Sequence, residues 1–165
     1  MTKRLVAIDP GKATGVSVWR VPGDEPIERI DYKLIQGGAD GFIEWMLFEP
    51  EDADIFVVEQ FIQDGRTPRV DPNALQIEGF LKGYELVQKD KEHPIWEFHW
   101  QRNAAKGIVG DKVLKQHGYW LTGKQVGWTD GRDVNDSQLH ALYWAKLNHR
   151  PSLEYYFPKK ALNVN

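Results

Sequence analysis

Two apolar runs in this chain each carry an acid at their C-terminal end, and that pairing constrains the fold more than any other feature. In "RLVAID" (4–9), Leu5, Val6, Ala7 and Ile8 lead into Asp9; in "DIFVVEQFI" (54–62), Ile55, Phe56, Val57 and Val58 lead into Glu59. Runs that are apolar at every position read as strands covered on both faces. A carboxylate at the end of such a strand is costly to keep ionised without a partner. If the two strands are parallel neighbours, the acids lie side by side about 4.8 Å apart. One of them then keeps its proton, or a cation joins them.

The rest of the pattern says whether the two strands can be neighbours. "TGVSVWRV" (14–21) follows the first run across a Gly-bearing turn, and "ERIDYKLI" (28–35) follows the turn "PGDEP". Three strands with short connections make an antiparallel meander. "GFIEWMLF" (41–48) predicts a short helix. "NALQIEGFLKGYELVQK" (73–89) carries Ile77, Phe80, Leu81, Tyr84 and Val87 at helical spacing after Asp71–Pro72. "IWEFHW" (95–100) predicts a strand, and "AAKGIVGDKVLKQHG" (104–118) one helix ended by Gly118. "DVNDSQLHALYWAKLNH" (133–149) predicts the last helix, stopped before Pro151 and anchored by Leu139, Leu142, Tyr143 and Leu147. The order β-β-β-α-β-α-β-α-α fits a single α/β domain over 1–150, with 151–165 as a C-terminal tail. It predicts one mixed sheet with helices on both faces. The long, helix-bearing connection between the first and fourth strands is what parallel neighbours require.

The last helix adds more acids. Asp133 and Asp136 are three residues apart and share a face, with His140 four residues further on. Both acids also sit in the first turn, where negative charge is favoured, so a capping role explains Asp133 equally well. The chain has no cysteine, which removes thiolate metal sites and cysteine nucleophiles. Asp9, Glu59, Asp133 and Asp136 together make an oxygen-rich set suited to Mg2+ or Mn2+, and His140 is a further candidate ligand on that face. Four carboxylates suffice for two cations, the arrangement that supports in-line phosphoryl displacement. No apolar run is long enough to span a membrane and the N-terminus has no signal-peptide pattern, so the expected location is cytoplasmic.

Charge distribution points to the same chemistry. The formal net charge is -3, yet between His99 and Lys124 five basic residues, Arg102, Lys106, Lys112, Lys115 and Lys124, face one acid, Asp111. Arg66 and Arg69 form a second basic group in "QDGRTPRV". The distribution matters more than the sum: such patches fit a nucleic-acid surface, and equally two solvated faces when the acids are left aside. Seven tryptophans make the chain unusually aromatic, and Trp suits flat stacking surfaces as well as cores.

Taken in order, "AIDPGKATGVSVW", "VVEQFI", "AAKGIVGDKVLKQ" and "DVNDSQLHALYWA" resemble the motifs of RuvC-type Holliday junction resolvases, over roughly residues 4 to 148. The likeness is nearest to the short, divergent versions that bacteriophages encode, which would place the protein in the host cytoplasm. The resemblance implies an RNase H-like fold with a five-stranded mixed sheet in the order 3-2-1-4-5. It also implies a homodimer that nicks four-way DNA junctions with divalent metal, leaving a 5′-phosphate and a 3′-hydroxyl. By motif, Asp9, Glu59, Asp133 and Asp136 match the family's catalytic acids. Lys106 and Lys112 fall where the family keeps basic residues near DNA phosphates, with Lys115 and Arg102 beside them. The family's junction-probing aromatic lies three residues after the second strand acid. Here that position is Ile62, and Phe61 stands one step earlier, next to Arg66 and Arg69 in the loop expected to reach the DNA. Other readings are a flap or RNA–DNA hybrid nuclease of the same fold, a DNA-binding module without catalysis, and an ATP-binding actin-like fragment.

Overall fold

The computed structural model describes residues 1–49, 51–61, 71–89 and 96–158. Its elements are β1 (Lys3–Asp9), β2 (Thr14–Val21), β3 (Glu28–Ile35), α1 (Gly38–Phe48), β4 (Ile55–Gln60), α2 (Pro72–Lys89), β5 (Glu97–Arg102), α3 (Ala104–Val109), α4 (Asp111–Gln116), α5 (Gly123–Val126), α6 (Arg132–Asn148) and α7 (Arg150–Tyr156). The five strands form one sheet in the order β3-β2-β1-β4-β5, as expected for an RNase H-like fold. β1 runs antiparallel to β2 and parallel to β4, and β4 runs parallel to β5.

Alternation along the strands divides the core in two. Leu5 and Ala7 of β1 and Ile55 and Val57 of β4 pack with Leu139, Leu142 and Ala145 of α6, and with residues of α4 and α7. Val6 and Ile8, with Phe56 and Val58, face the other way, onto Phe42, Trp45 and Met46 of α1 and Ile77 and Leu81 of α2. Odd positions therefore look toward α6. The ladder pairs Ile8 with Val58, so its next step sets Asp9 beside Glu59, both on the α6 side. Glu59 in turn pairs with Gln101 of β5.

Several elements differ from the sequence expectation. The single helix over 104–118 is two short ones, because Gly110 takes φ 76° between them, outside the helical region. β5 lies two residues later than 95–100, and β4 ends at Gln60. Leu147 is 64% exposed and Val87 also faces out, so neither anchors its helix. Residues 151–165 are not simply a tail. Arg150–Tyr156 forms α7, Tyr156 is buried with its hydroxyl donating to the Ile27 carbonyl at 2.6 Å, and Ser152 Oγ accepts the Ile27 N–H at 2.8 Å. Residues 159–165 lie outside the described part. No helix among the described residues is long and apolar enough to cross a membrane.

Candidate active site

The odd-numbered parity of β1 and β4 delivers two carboxylates to one spot, and α6 brings the rest. Asp9 is 7% exposed and Glu59 1%. The Lys106 Nζ of α3 stands among three carboxylates: 2.9 Å from Glu59 Oε2, 3.0 Å from Asp136 Oδ2 and 3.4 Å from Asp9 Oδ1. The partner that Asp9 requires is thus supplied within the chain, by a residue whose sequence position suggested only a contact to DNA phosphate. His140 is fully buried; its Nδ1 lies 2.8 Å from Gln101 Oε1 and its Nε2 3.4 Å from Glu59 Oε2. One ring nitrogen is thus held by the Gln101 amide and the other is turned to the acids.

The electrostatics follow from crowding. Burial raises the Asp9 carboxyl well above its usual range, and its hydrogen bond to Glu59 adds to the shift. At Glu59 burial also acts upward but is outweighed by hydrogen bonds from Asp9 and His140 and by the Lys106 charge, leaving it lowered to about 2. The two carboxyls are pushed in opposite directions, Asp9 upward and Glu59 downward, as expected for two acids in one pocket. Lys106 loses by burial but gains more from Asp9, Glu59 and Asp136, so it stays firmly charged. Asp133 is raised by burial first and then by Asp130 and Asp136. It faces the same cleft, yet no ion pair joins it to Lys106. Nor does it cap α6: Gly131 is the N-cap, and just before it Asp130 Oδ1 accepts the Arg132 N–H at 2.9 Å.

Close backbone contacts hold these pieces in place. A Cβ on Gly15 would lie 1.9 Å from the Asp133 carbonyl oxygen, so only glycine lets β2 come this near the first turn of α6. Buried Glu78 of α2 accepts the Phe61 N–H at 3.1 Å, fixing the chain two residues after Glu59. Asp71 accepts the Lys12 N–H at 2.8 Å and the Asn73 N–H at 2.9 Å, tying the β1–β2 turn to the start of α2.

The acids floor a cleft of about 730 Å3 whose rim includes Lys12, Phe61, Asn103 and Trp128. A second cleft of about 700 Å3 lies on the other side of Lys106 and Asp136, which line both. The donors suit a hard divalent ion: one ligand atom each from Asp9, Glu59 and His140 lie within 4.8 Å of one another, all buried and with no thiolate. Of the other anticipated residues, Arg102, Lys112 and Lys115 are exposed, and Lys115 Nζ sits 4.5 Å from the Trp120 ring centre. Phe61 is half-buried on the cleft wall. Arg66 and Arg69, with Ile62, lie outside the described residues. Sequence reasoning did not single out Lys12, Asn103, Gln101 or Trp128. Trp128, 45% exposed and five residues before Asp133, was the one with a signal, an aromatic in the polar segment "GWTDGRD".

No protein-family model matches the chain, and no curated protein sequence does. Solved structures do resemble it. The yeast mitochondrial Holliday junction resolvase Ydc2 aligns with TM-score 0.61 at 15% identity, over 94% of this chain and 86% of that one. Thermus thermophilus RuvC aligns more loosely: with TM-score 0.49 at 15% identity, over 87% and 96%, and, in complex with a Holliday junction substrate, with TM-score 0.48 at 13%, over 88% and 96%. At such identity the likeness to Ydc2 is one of fold, and it agrees with the strand order 3-2-1-4-5 found here.

Proposed function

We infer that this chain is a divalent-metal-dependent endonuclease that resolves four-way DNA junctions, acting as a homodimer that makes paired nicks. The observation that carries this reading is the convergence of Asp9, Glu59 and Asp136 on one point at the floor of an open cleft. The fold shared with a yeast Holliday junction resolvase supports the choice of substrate, and a junction's two-fold symmetry calls for two sites in one symmetric assembly.

Asp9, Glu59 and Asp136 would hold Mg2+ or Mn2+, two per site, with Asp133 and His140 completing the donor set. Such ions would supply Lewis-acid stabilisation of the charge that develops on oxygen in an in-line displacement at phosphorus. The chain's own residues do the rest. Asp9 and Glu59 sit on adjacent strands, so the sheet fixes the backbone spacing from which their carboxylates reach the site. Gln101 orients His140, and His140 steadies Glu59. Lys12 on the rim and Lys112, Lys115 and Arg102 beyond it offer cations to the phosphate backbone. Trp128 and Phe61 flank the acids with flat faces suited to unstacked bases.

The test is cleavage of labelled four-way junction, flap, duplex and RNA–DNA hybrid with Mg2+, Mn2+ or EDTA, for the parent, Asp9→Asn and Glu59→Gln. The parent should cut the junction fastest and only with metal; both variants should lose cleavage while still binding it. Metal-independent cleavage, or an Asp9→Asn protein that cuts at the parental rate, would refute the mechanism. Equal rates on flap and junction would make this a broader branched-DNA nuclease.

A further inference from the structure

Lys106 has more to do than meet a phosphate. Its ammonium is bound by three carboxylates at 2.9–3.4 Å, and two of them, Asp9 and Glu59, belong to the group whose ligand atoms could hold a cation. An ammonium this close to the donors places its positive charge where a divalent ion's charge would stand, so the two repel one another and compete for the same oxygens. Lys106 also lines both clefts, standing with Asp136 at their boundary. From α3, a helix of six residues bounded by Asn103 and by Gly110 at φ 76°, its flexible stem can turn from the acids to the second cleft, where Asp111 and Asp130 lie.

We propose that Lys106 is an internal counter-ion of the acid cluster that a divalent cation must displace, and that the displaced ammonium then turns to Asp111 and Asp130 of the second cleft. The proposal rests on the acids being a metal site. It gives Lys106 two successive partners. Without metal it neutralises carboxylates that would otherwise repel each other. With metal it is expelled to the carboxylates of the second cleft. Whatever strengthens the hold of the ammonium on the acid cluster weakens that of the ion by the same factor.

The displacement can be read directly on the native chain by labelling lysine amines with an acylating reagent and locating the products by mass spectrometry. In EDTA, Lys106 should react several-fold more slowly than exposed Lys112 and Lys115. Mn2+ should raise its labelling several-fold and leave theirs unchanged. Glu59→Gln should abolish the effect of Mn2+. A second measurement is Mn2+ affinity by calorimetry, without DNA, for the parent, Lys106→Met and Lys106→Arg. Removing the charge should tighten Mn2+ binding about tenfold or more, while Lys106→Arg should stay near the parent. If Mn2+ binds in a Glu59-dependent way but Lys106 remains protected, or Lys106→Met binds Mn2+ no better than the parent, the exchange is wrong and the metal site stands. If Mn2+ binding ignores Glu59→Gln, the metal site falls and this proposal with it.

Discussion

Gly15→Ala tests whether the site depends on one close approach between β2 and α6. The added Cβ would meet the Asp133 carbonyl oxygen at 1.9 Å, its carbon at 2.1 Å and the Val134 nitrogen at 2.6 Å. All three are backbone atoms, so no rotamer change relieves the clash. The first contact is about 1.5 Å short of the 3.4 Å at which ordinary contact begins, and the strand and the helix must part by roughly that amount. Overpacking of this kind costs about 1–3 kcal/mol. The helix end that moves carries Asp133 and Asp136, and a misplacement of about 1 Å in such a group costs about 100-fold in rate. Gly83→Ala is the internal reference. It lies in α2 with nothing within 4 Å of its would-be Cβ, so it should stabilise the fold by about 0.5–1 kcal/mol. Thermal unfolding of both variants, with Mn2+ affinity for the first, makes the comparison. A Gly15→Ala protein with the parental melting temperature and Mn2+ affinity would show that β2 does not position α6.

Other expectations concern separate parts of the molecule. Asp133 is held above its usual range by burial and by its acidic neighbours, so its ionised form costs stability at neutral pH. Asp133→Asn should therefore melt no lower than the parent at pH 7 and weaken Mn2+ binding less than Asp136→Asn, whose parent residue pairs directly with Lys106; calorimetry ranks the two. Burial first, and then the Tyr119 hydroxyl, raises Tyr156 above its ordinary value of 10.0. The unfolded chain then ionises before the folded one, and the stability this group confers, complete below about pH 10, is lost as pH rises beyond it. Tyr156→Phe should cost about 1 kcal/mol at pH 7 through the missing bond to Ile27 and should flatten the alkaline fall in denaturation midpoint; an unchanged alkaline slope would disprove the assignment. Lys112→Ala with Lys115→Ala should weaken junction binding and make its dependence on salt shallower, by roughly 0.9 for each phosphate the two lysines neutralise. An unchanged slope in a filter-binding titration would move the DNA surface elsewhere.

The sequence by itself determined the sheet and the address of the acids. Runs apolar at every position marked β1 and β4 as covered strands. Their length, with the helix between them, made them parallel neighbours, and strict alternation then put Asp9 and Glu59 on the same face as Leu5, Ala7, Ile55 and Val57. Alternation is a local property of an extended chain, which is why it could be read without coordinates. The three- and four-residue steps from Asp133 to Asp136 to His140 were legible for the same reason. Tertiary structure alone decided which partners those groups take. Lys106 lies 47 residues from Glu59 along the chain, and nothing local turns its amine inward instead of outward; the packing of α3 against α6 does so. Gln101 reaches His140 only because β5 pairs with β4 in the register that sets Glu59 opposite Gln101, a choice made across 42 residues. The short helices α5 and α7 escaped notice because each is shorter than two full periods of an apolar stripe. α7 is held by Tyr156 and Ser152 bonding to Ile27, contacts more than 120 residues distant in sequence. Periodicity reports which way a residue faces; only the packed chain reports what it meets there.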